Sequence, residues 1–482
     1  MAFSRGTIVR SFFWKFLERS SVQLVGFLVT VILARLLTPN EYGLISLITV
    51  FIAIADVIID GGLNTALIQK KDSDNTDFST IFFFSMGLAV IMYGIFYLAA
   101  PAMAGFYDRM ELVPIIRVLS LGLIFYAFNS IQRAFVSRHM LFRQLFLSSL
   151  VAVAVSGAIG VAMAFKGYGV WALVAQNLSN QFLVCLIMWF TVRWRPIKVF
   201  SKERFRGLFG YGWKIMGTNL ITGIFVQVRK LLIGKFYKPD TLAYYEKGGQ
   251  IPDLLMSNIF SSVQTILFPS LSEVQDDRQR VKNMMRRSTK MVCFFVYPMM
   301  VGLIVVAKPL VITLFTEKWL PVVPFLQILC IANFFRPITI ANAEAIKALG
   351  YSSITLKLEI IKKIIDITIL IVSLTISVYA IVWGIVLYNF LCVFINLYPN
   401  IKLLNYKIHE QVLDATPTLI LSLVMGLAIY WMKFLPWSAP AILTVQILAG
   451  IVIYFLVCLL FKEESFVYLA DYIKSKLNKT DK

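Results

Sequence analysis

The sequence predicts an all-α protein that crosses a membrane many times, with about fourteen transmembrane helices. Hydrophobic residues make up 59% of the 482 residues, and the mean hydropathy of +0.77 is well above that of soluble domains. The apolar residues are grouped into segments long enough to span a hydrocarbon core. Lys and Arg are concentrated in alternate short loops, which is typical of a multi-pass membrane protein.

Each apolar segment of about 17 to 25 residues predicts one helix. The segments are residues 14–37, 43–67, 78–101, 113–134, 145–165, 169–192, 211–236, 250–271, 291–315, 322–347, 356–378, 380–400, 411–434 and 441–461. The first, seventh, tenth and eleventh segments are interrupted by charges. These charges are Glu18, Arg19, Lys214, Arg229, Arg336, Glu344, Lys362, Lys363 and Asp366. Because a helix beside a water-filled cavity needs no lipid-compatible face there, we expect these segments to line one.

The distribution of basic residues predicts the orientation. If the N-terminus is cytoplasmic, the cytoplasmic segments hold roughly thirty Lys and Arg, against fewer than about ten in the alternate loops. Both termini are therefore predicted to be cytoplasmic. Since this asymmetry explains much of the net charge of +20, we do not interpret the charge as a sign of nucleic-acid binding.

The sequence carries no signature of an enzyme or of a metal site. The two histidines, His139 and His409, lie in predicted cytoplasmic loops, and there is no HExxH, CxxC or phosphate-binding glycine loop. Each cysteine stands alone in an apolar segment, as expected for packed free thiols. No loop exceeds roughly 20 residues, which leaves no space for a soluble catalytic domain. We therefore expect no catalytic residues, no metal and no organic cofactor.

An internal repeat predicts two homologous halves. Trp14-Lys15 corresponds to Trp213-Lys214, and Pro39-Asn40, about one helix later, corresponds to Pro239-Asp240. Both halves begin on the same side of the membrane, so the repeats are parallel. The predicted organisation is an N-terminal six-helix lobe at 1–200, a C-terminal six-helix lobe at 201–405, two additional helices at 406–462 and a cytoplasmic tail at 463–482.

Three stretches carry a family resemblance: LARLLTPNEYGLISLITVF, DGGLNTALIQKKD and LIGKFYKPDTLAYYEKG. With them, the chain resembles the polysaccharide transporter branch of the multidrug/oligosaccharidyl-lipid/polysaccharide flippase superfamily. Within that branch it is similar to the Wzx-type, colanic-acid-exporter-like lipopolysaccharide biosynthesis proteins. The resemblance covers nearly the whole chain and implies two six-helix lobes around a central cavity.

The resemblance also implies a function. An undecaprenyl-pyrophosphate-linked oligosaccharide would be moved by alternating access from the cytoplasmic to the periplasmic leaflet of a bacterial inner membrane. Its partners would be that lipid-linked substrate, membrane lipids, and a polysaccharide polymerase with its export machinery. The alternatives are a cation-coupled small-molecule exporter of the same superfamily, a flippase for the peptidoglycan precursor, and a membrane-embedded polymerase or glycosyltransferase.

Basic and amide side chains within the helices are the candidates for binding an anionic, hydroxylated head group. Arg229 and Arg336 lie nearest the predicted midplane, and a guanidinium can bind phosphate oxygens in pairs. Lys230, Arg19 and Arg35 are further cationic candidates, although Lys230 and Arg35 also fit snorkelling to the head groups. The amide candidates for sugar hydroxyls are Asn64, Asn129, Asn219, Gln227 and Asn258. Interhelical hydrogen bonds are the commoner role of such amides.

Two acids, Asp56 and Asp60, lie one helical turn apart in an apolar segment and should project from the same face. Three interpretations remain open: a structural ion pair with Arg19 or Lys15, a proton or sodium site that couples transport to an ion gradient, and a ligand for substrate hydroxyls. Glu344 and Asp366 are weaker candidates for the coupling role. Gly61 and Gly62 would allow close backbone approach or a loosened helix beside these acids.

Overall fold

The computed structural model describes residues 5–471, and all regular secondary structure within that range is helical. The first four residues and positions 472–482 of the predicted tail lie outside the described residues. The all-α class is therefore confirmed for the part of the chain that is described. The chain divides into two compact units, residues 1–243 and 244–482.

The first unit contains nine helices within its described residues. They are α1 (Arg5–Leu36), α2 (Pro39–Asp60), α3 (Leu63–Gln69), α4 (Asn75–Phe106), α5 (Leu112–Leu119), α6 (Gly122–Arg138), α7 (Phe142–Phe165), α8 (Val170–Thr191) and α9 (Lys202–Phe236). The long helix α10 (Pro239–Glu273) begins at the end of this unit and continues into the second.

The second unit continues with seven further α-helices. They are α11 (Arg278–Phe315), α12 (Val322–Asn333), α13 (Arg336–Ala348), α14 (Ser352–Leu374), α15 (Val378–Leu404), α16 (Ile408–Tyr430) and α17 (Ala439–Leu460). Short 3₁₀ turns at Glu317–Trp319 and Trp431–Phe434 precede α12 and follow α16.

Helices occupy all fourteen segments that the sequence predicts, but twelve of them within residues 5–471 are long and apolar enough to cross a membrane. The two helices that fall short are α9 and α14, in the seventh and eleventh predicted segments. Helix α9 has 35 residues and helix α14 has 23, and the charged residues of each helix lower its mean hydropathy. The predicted count of fourteen membrane-spanning helices is therefore not confirmed, whereas the polytopic helical fold is.

A glycine contact packs α9 closely against the junction of α2 and α3. The sequence assigns α9 to the predicted second lobe, and in the structure this helix falls within the compact unit of residues 1–243. Helix α9 packs against α2 and α3. At Gly62, where φ is +66°, a Cβ atom would lie 2.4 Å from the carbonyl oxygen of Gly212 in α9. A side chain would therefore be strained by the backbone angle and blocked by the neighbouring helix. The lobe boundaries at 200 and 405 remain a prediction.

The second unit is held together at one end by buried polar contacts. Arg286 of α11 donates two hydrogen bonds to Asp414 of α16, each 2.7 Å long. The Tyr406 hydroxyl donates to the same carboxylate over 2.5 Å. The first of the two additional helices predicted at 406–462 thus packs on α11 through a paired charge, as expected for a buried ion, which needs a partner.

The same turn ends one helix in each unit. After α6, Met140 has a φ of 57° and the Leu141 amide donates to the Val136 carbonyl over 2.9 Å. After α13, Gly350 has a φ of 82° and the next amide donates back to Ile346 over 3.2 Å. Both turns are of the left-handed C-terminal type and direct the chain into the following helix.

Candidate functional site

Asp56 and Asp60, the two acids predicted to project from one helical face, lie at the end of α2. Asp60 is the last residue of that helix, and its carboxylate accepts hydrogen bonds from the Asn64 amide and, over 3.3 Å, from the Ser130 hydroxyl. The Asn64 amide also donates to Ser130. Asp56 lies one turn earlier, and one of its buried carboxylate oxygens has no hydrogen-bond partner among the described residues. The structure therefore places one bonded acid and one unsatisfied acid side by side.

The ion pair that would make these acids purely structural is not formed. Lys15 pairs with Glu18 over 2.9 Å, and Arg19 is exposed with no ion pair or hydrogen bond in the part of the chain that is described. The similar depth of Arg19 and Asp60 on two antiparallel helices suggested this pair, but the Arg19 side chain is exposed rather than directed at Asp60 through an ion pair. The remaining interpretations of Asp56 and Asp60, ion coupling and hydroxyl binding, stay predictions.

A polar cavity of about 380 Å³ lies beside this cluster in the first unit, and we call it the α6 cavity. Its polar lining comes from α3, α6 and α8, namely Asn64, Tyr126, Asn129, Ser130, Arg133, Ser137, Asn180 and Gln181. The structure brings Asn64 and Asn129 together here, as two of the predicted hydroxyl-binding amides. The Asn129 amide donates to the Gln181 carbonyl over 3.0 Å, which anchors α6 to α8.

The second unit contains a cavity of similar size, about 380 Å³, and we call it the α13 cavity. Its polar lining is Ser257, Ser261, Gln264, Arg336, Thr339, Lys362, Tyr388 and Asn389. Arg336 is the first residue of α13; its guanidinium lies 4.6 Å from the ring centre of Phe260 and donates to Asn333 over 3.1 Å. Lys362 is 7% exposed and pairs with Glu359 over 2.5 Å.

The lining of the α13 cavity contains two cations and no acid, and the acids that act on these cations, Asp253 on Arg336 and Glu359 on Lys362, lie outside the lining. Glu359, the partner of Lys362, has a side chain that is 51% exposed and does not line the cavity. The remaining polar groups at the wall are hydroxyls and amides. This donor-rich arrangement is suited to an oxyanion such as a phosphate, since charge-assisted hydrogen bonds to phosphate are the strong ones.

Glu344 is buried near this cavity and already paired. Its carboxylate accepts from Lys347 over 2.9 Å and from Gln264 over 3.4 Å. These contacts connect α13 with α10 through the side chain of Gln264. The ion-coupling role proposed for Glu344 stays a prediction, and it would require breaking an existing salt bridge.

Four predicted ligands lie on α9, and none of them lines the α6 or the α13 cavity. They are Asn219, Gln227, Arg229 and Lys230. Asn219 is exposed, whereas the other three are half-buried. Asn258 donates to the Leu254 carbonyl of its own helix over 3.0 Å. The substrate-binding roles of these residues remain predictions.

Sequence reasoning missed two cations that line the cavities, Arg133 and Lys362. The sequence offered a signal for Arg133, because Tyr126, Ser130, Arg133 and Ser137 are spaced four, three and four residues apart and so share one helical face. Lys362 was noted only as a charge that weakened its apolar segment. Its burial shows that the segment faces protein or a cavity at that point.

Solved structures share this fold. The chain resembles the lipid II flippase MurJ in an inward closed conformation with a TM-score of 0.73, at 16% identity, over 94% of this chain and 99% of that one. A multidrug resistance MATE family transporter of the MOP superfamily, in an inward-facing conformation, matches with a TM-score of 0.59 at 15% identity, over 80% and 98% of the two chains. The fold is therefore that of the MurJ and MATE proteins.

Curated relatives match over most of their length. The succinoglycan biosynthesis transport protein ExoT of Rhizobium meliloti (strain 1021) is 24% identical over 68% of this chain and 66% of its own length. The lipopolysaccharide biosynthesis protein WzxC of Escherichia coli (strain K12) is 20% identical over 84% and 85%. The polysaccharide biosynthesis protein family matches residues 32–324, which is more than half of the chain. This chain belongs to the polysaccharide biosynthesis protein family.

Proposed function

We propose that this protein is a flippase that moves an undecaprenyl-pyrophosphate-linked oligosaccharide from the cytoplasmic to the periplasmic leaflet of a bacterial inner membrane. It performs transport and no covalent chemistry. Its membership of the polysaccharide biosynthesis protein family and its MurJ-like fold support the substrate class, as do the relatives named as polysaccharide transport proteins. A polymerase and export machinery would use the delivered oligosaccharide.

The α13 cavity carries this proposal. A lipid-linked oligosaccharide has an anionic pyrophosphate that must pass the hydrocarbon region, so the pathway needs fixed cations and hydrogen-bond donors. Arg336 and Lys362 supply two cations at the wall of one cavity, and Ser257, Ser261 and Gln264 supply hydrogen-bonding groups. A small cationic drug would meet repulsion from the same two side chains, which argues against a drug exporter.

The acid pair in α2 supports coupling of this transport to a proton or sodium gradient. Asp56 is held inside a membrane-spanning segment with an unsatisfied oxygen, one turn from Asp60. Acids at that depth are costly and usually carry a function. Binding of one H⁺ or Na⁺ would neutralise one of the two carboxylates, so each transport cycle would couple cation occupancy to substrate movement.

The direction of transport rests on the predicted orientation, which can be tested by cysteine labelling from either side. Residues 70–77, 195–207 and 275–290 should be labelled from the cytoplasm, and residues 102–112 and 317–321 from the periplasm. Labelling of 195–207 from the periplasm would reverse the orientation and contradict the proposed direction.

Leaflet transfer can be measured directly. Purified protein in proteoliposomes should move a fluorescent undecaprenyl-pyrophosphate oligosaccharide from one leaflet to the other. A membrane-impermeant quencher on the receiving side then measures the transfer as a loss of fluorescence. Protein-free liposomes and the Arg336→Ala variant serve as controls. In cells, deletion of the gene should cause this lipid to accumulate in the inner leaflet. Absence of both transfer and accumulation would overturn the proposal.

A further inference from the structure

Helix α6 presents a stripe of four polar side chains to the α6 cavity. The stripe consists of Tyr126, Ser130, Arg133 and Ser137, and all four line the cavity. Their spacing of four, three and four residues puts them on one face, along roughly 16 Å of helix. A stripe of this length matches an elongated ligand better than a single ion.

Two arginines of α6 differ sharply in their contacts. Arg138 donates to the carbonyls of Leu67 and Ile68 over 2.8 and 3.1 Å, and to those of Lys70 and Lys71 over 2.5 and 2.6 Å. It thereby satisfies carbonyl groups at the C-terminal end of α3, a favourable place for a cation. Arg133 forms no ion pair or hydrogen bond with any residue of the described range. Arg138 is committed to the fold, whereas Arg133 is exposed to the cavity.

The acids nearest to the stripe do not bind Arg133. Asp60 accepts hydrogen bonds from Asn64 and Ser130, and no ion pair joins either Asp56 or Asp60 to Arg133. Cations within membrane-spanning segments normally pair with an anion. Since no acid within residues 5–471 pairs with it, the guanidinium is available to an anionic group of a ligand.

The other groups at the wall suit hydroxyls. The Asn180 amide donates to Ser156 over 3.1 Å, and that of Asn129 is likewise used within the protein. The hydroxyls of Tyr126 and Ser137 form no hydrogen bond with the described residues. A hydroxyl both donates and accepts, so these two groups can pair with sugar hydroxyls in either sense.

We propose that the α6 cavity binds the saccharide part of the transported lipid and that Arg133 binds a carboxylate on an acidic sugar. This inference rests on the proposed function and specifies its substrate class: an oligosaccharide with a uronic acid or another carboxylated unit. The planar guanidinium matches a carboxylate in a two-pronged contact, and Tyr126 and Ser137 bind hydroxyls on either side of it.

The test uses two soluble probes and the purified full-length chain in nanodiscs. One probe is an oligosaccharide that contains glucuronate, and the other is the same oligosaccharide with its carboxyl group reduced to an alcohol. Calorimetry should show that wild-type protein binds the acidic probe about tenfold or more tightly than the neutral one. Arg133→Gln should remove this preference and leave the affinity for the neutral probe unchanged.

Arg143→Gln is the matched control, because Arg143 is exposed on α7 beside Trp14 and does not line the cavity. It should keep the full preference. Arg133→Lys retains the charge but loses the two-pronged contact, so it should keep part of the preference for the acidic probe. This variant replaces Arg133→Gln in the experiment if Arg133→Gln is unstable. Tyr126→Phe should weaken binding of both probes equally.

Several results would overturn the inference. These are equal affinity of wild-type protein for both probes, a preference that persists in Arg133→Gln, and Arg133-dependent competition by inorganic pyrophosphate, which would assign Arg133 to the lipid phosphate. If one of these results is obtained while leaflet transfer is normal, the α6 cavity is excluded as the binding site for an acidic sugar and the proposed function still holds. Failure of the wild-type protein to transfer any lipid-linked oligosaccharide would instead remove the proposed function.

Discussion

The α6 and α13 cavities have similar volumes but differ in the charged groups around them. In each, the lining includes a helix that follows a short break, α6 after α5 and α13 after α12, and each of these helices ends in the same left-handed turn. The α6 cavity is lined by amides, hydroxyls and one cation, Arg133, and adjoins Asp56 and Asp60, whereas the α13 cavity is lined by two cations. A similar local scaffold therefore carries one cation beside an acid pair in one unit and two cations in the other.

This difference separates the roles of scaffold and side chain. The helix break and the C-terminal turn position a stretch of helix at a cavity wall, and the residues along that stretch decide what binds. Net charge alone would not show this, because the excess of basic residues is explained largely by the loops. The acid pair beside the α6 cavity predicts cation coupling in the first unit, and Arg133 predicts carboxylate binding in that same cavity. Arg336 and Lys362 predict phosphate binding in the α13 cavity of the second unit, and each assignment can be tested separately.

The largest effect is expected for Asp60→Asn. The change keeps the shape and much of the hydrogen bonding with Asn64 and Ser130 but removes the charge, so gradient-driven transport should be lost while the protein stays folded. Transport under an imposed proton or sodium gradient and the melting temperature would be measured together, and Asp56→Asn should behave alike.

Arg19→Gln is the control for this experiment. Because Arg19 forms no pair with either acid in the described structure, adding Arg19→Gln should neither rescue transport nor alter stability in the Asp60→Asn background. Rescue by the double variant would show that an Arg19 pair forms in another state. Normal gradient dependence in both aspartate variants would exclude the coupling role.

The next largest effect is expected in the α13 cavity. Arg336→Ala should lower leaflet transfer by roughly 10- to 100-fold, the loss expected for one or two charge-assisted hydrogen bonds to phosphate. Arg336→Lys should rescue only in part, because an ammonium cannot reproduce the two-pronged contact. Initial rates in proteoliposomes at matched protein density provide the measurement.

Arg229→Ala extends this test to α9. The sequence predicts the same phosphate-binding role for Arg229, although it does not line the α13 cavity. A comparable loss of transfer would add α9 to the substrate pathway. Wild-type transfer by both alanine variants would exclude these two arginines from the site.

A smaller effect, on stability rather than transport, is expected for Asp414→Asn. Asp414 is 5% exposed and binds Arg286 and Tyr406. Loss of its charge leaves the guanidinium without its partner, which should destabilise the second unit by about 2 kcal/mol. Thermal unfolding in detergent would show a lower melting temperature. The exposed Arg109–Glu111 pair supplies the control, since Arg109→Gln should have almost no effect.

The sequence predicted the helical segments and the neighbouring acids because both depend on local spacing. It did not predict which faces meet: Asp60 was expected near Arg19 from depth alone, whereas its partners are Asn64, four residues away, and Ser130 on α6. Hydropathy ended the fourth segment at residue 134, which left Arg133 at its very end, although α6 continues to Arg138 and Arg133 lies a full turn inside the helix. Packing direction, which decides both points, is not encoded in a hydropathy window.

The smallest effect is expected at an exposed ion pair of the first unit, which contrasts with the buried Asp414. Asp74 begins α4, where its carboxylate accepts from the Thr76 and Asp77 amides over 3.0 Å each and from Arg204 over 2.5 Å. Slight burial opposes the charge, but the hydrogen bonds and the Arg204 charge outweigh it and hold the pKa of Asp74 below its ordinary value.

Because that pKa is depressed in the folded state, the stabilisation is present above the ordinary Asp pKa of about 3.9 and is lost as the pH falls through the folded value. The Asp74 side chain is 49% exposed, so solvent screening limits the effect to a few tenths of a kcal/mol. Asp74→Asn keeps the helix cap, and it should lower the melting temperature slightly at neutral pH and not at all in acid. A difference that is the same at every pH would show that the cap, and not the charge, stabilises this end of α4.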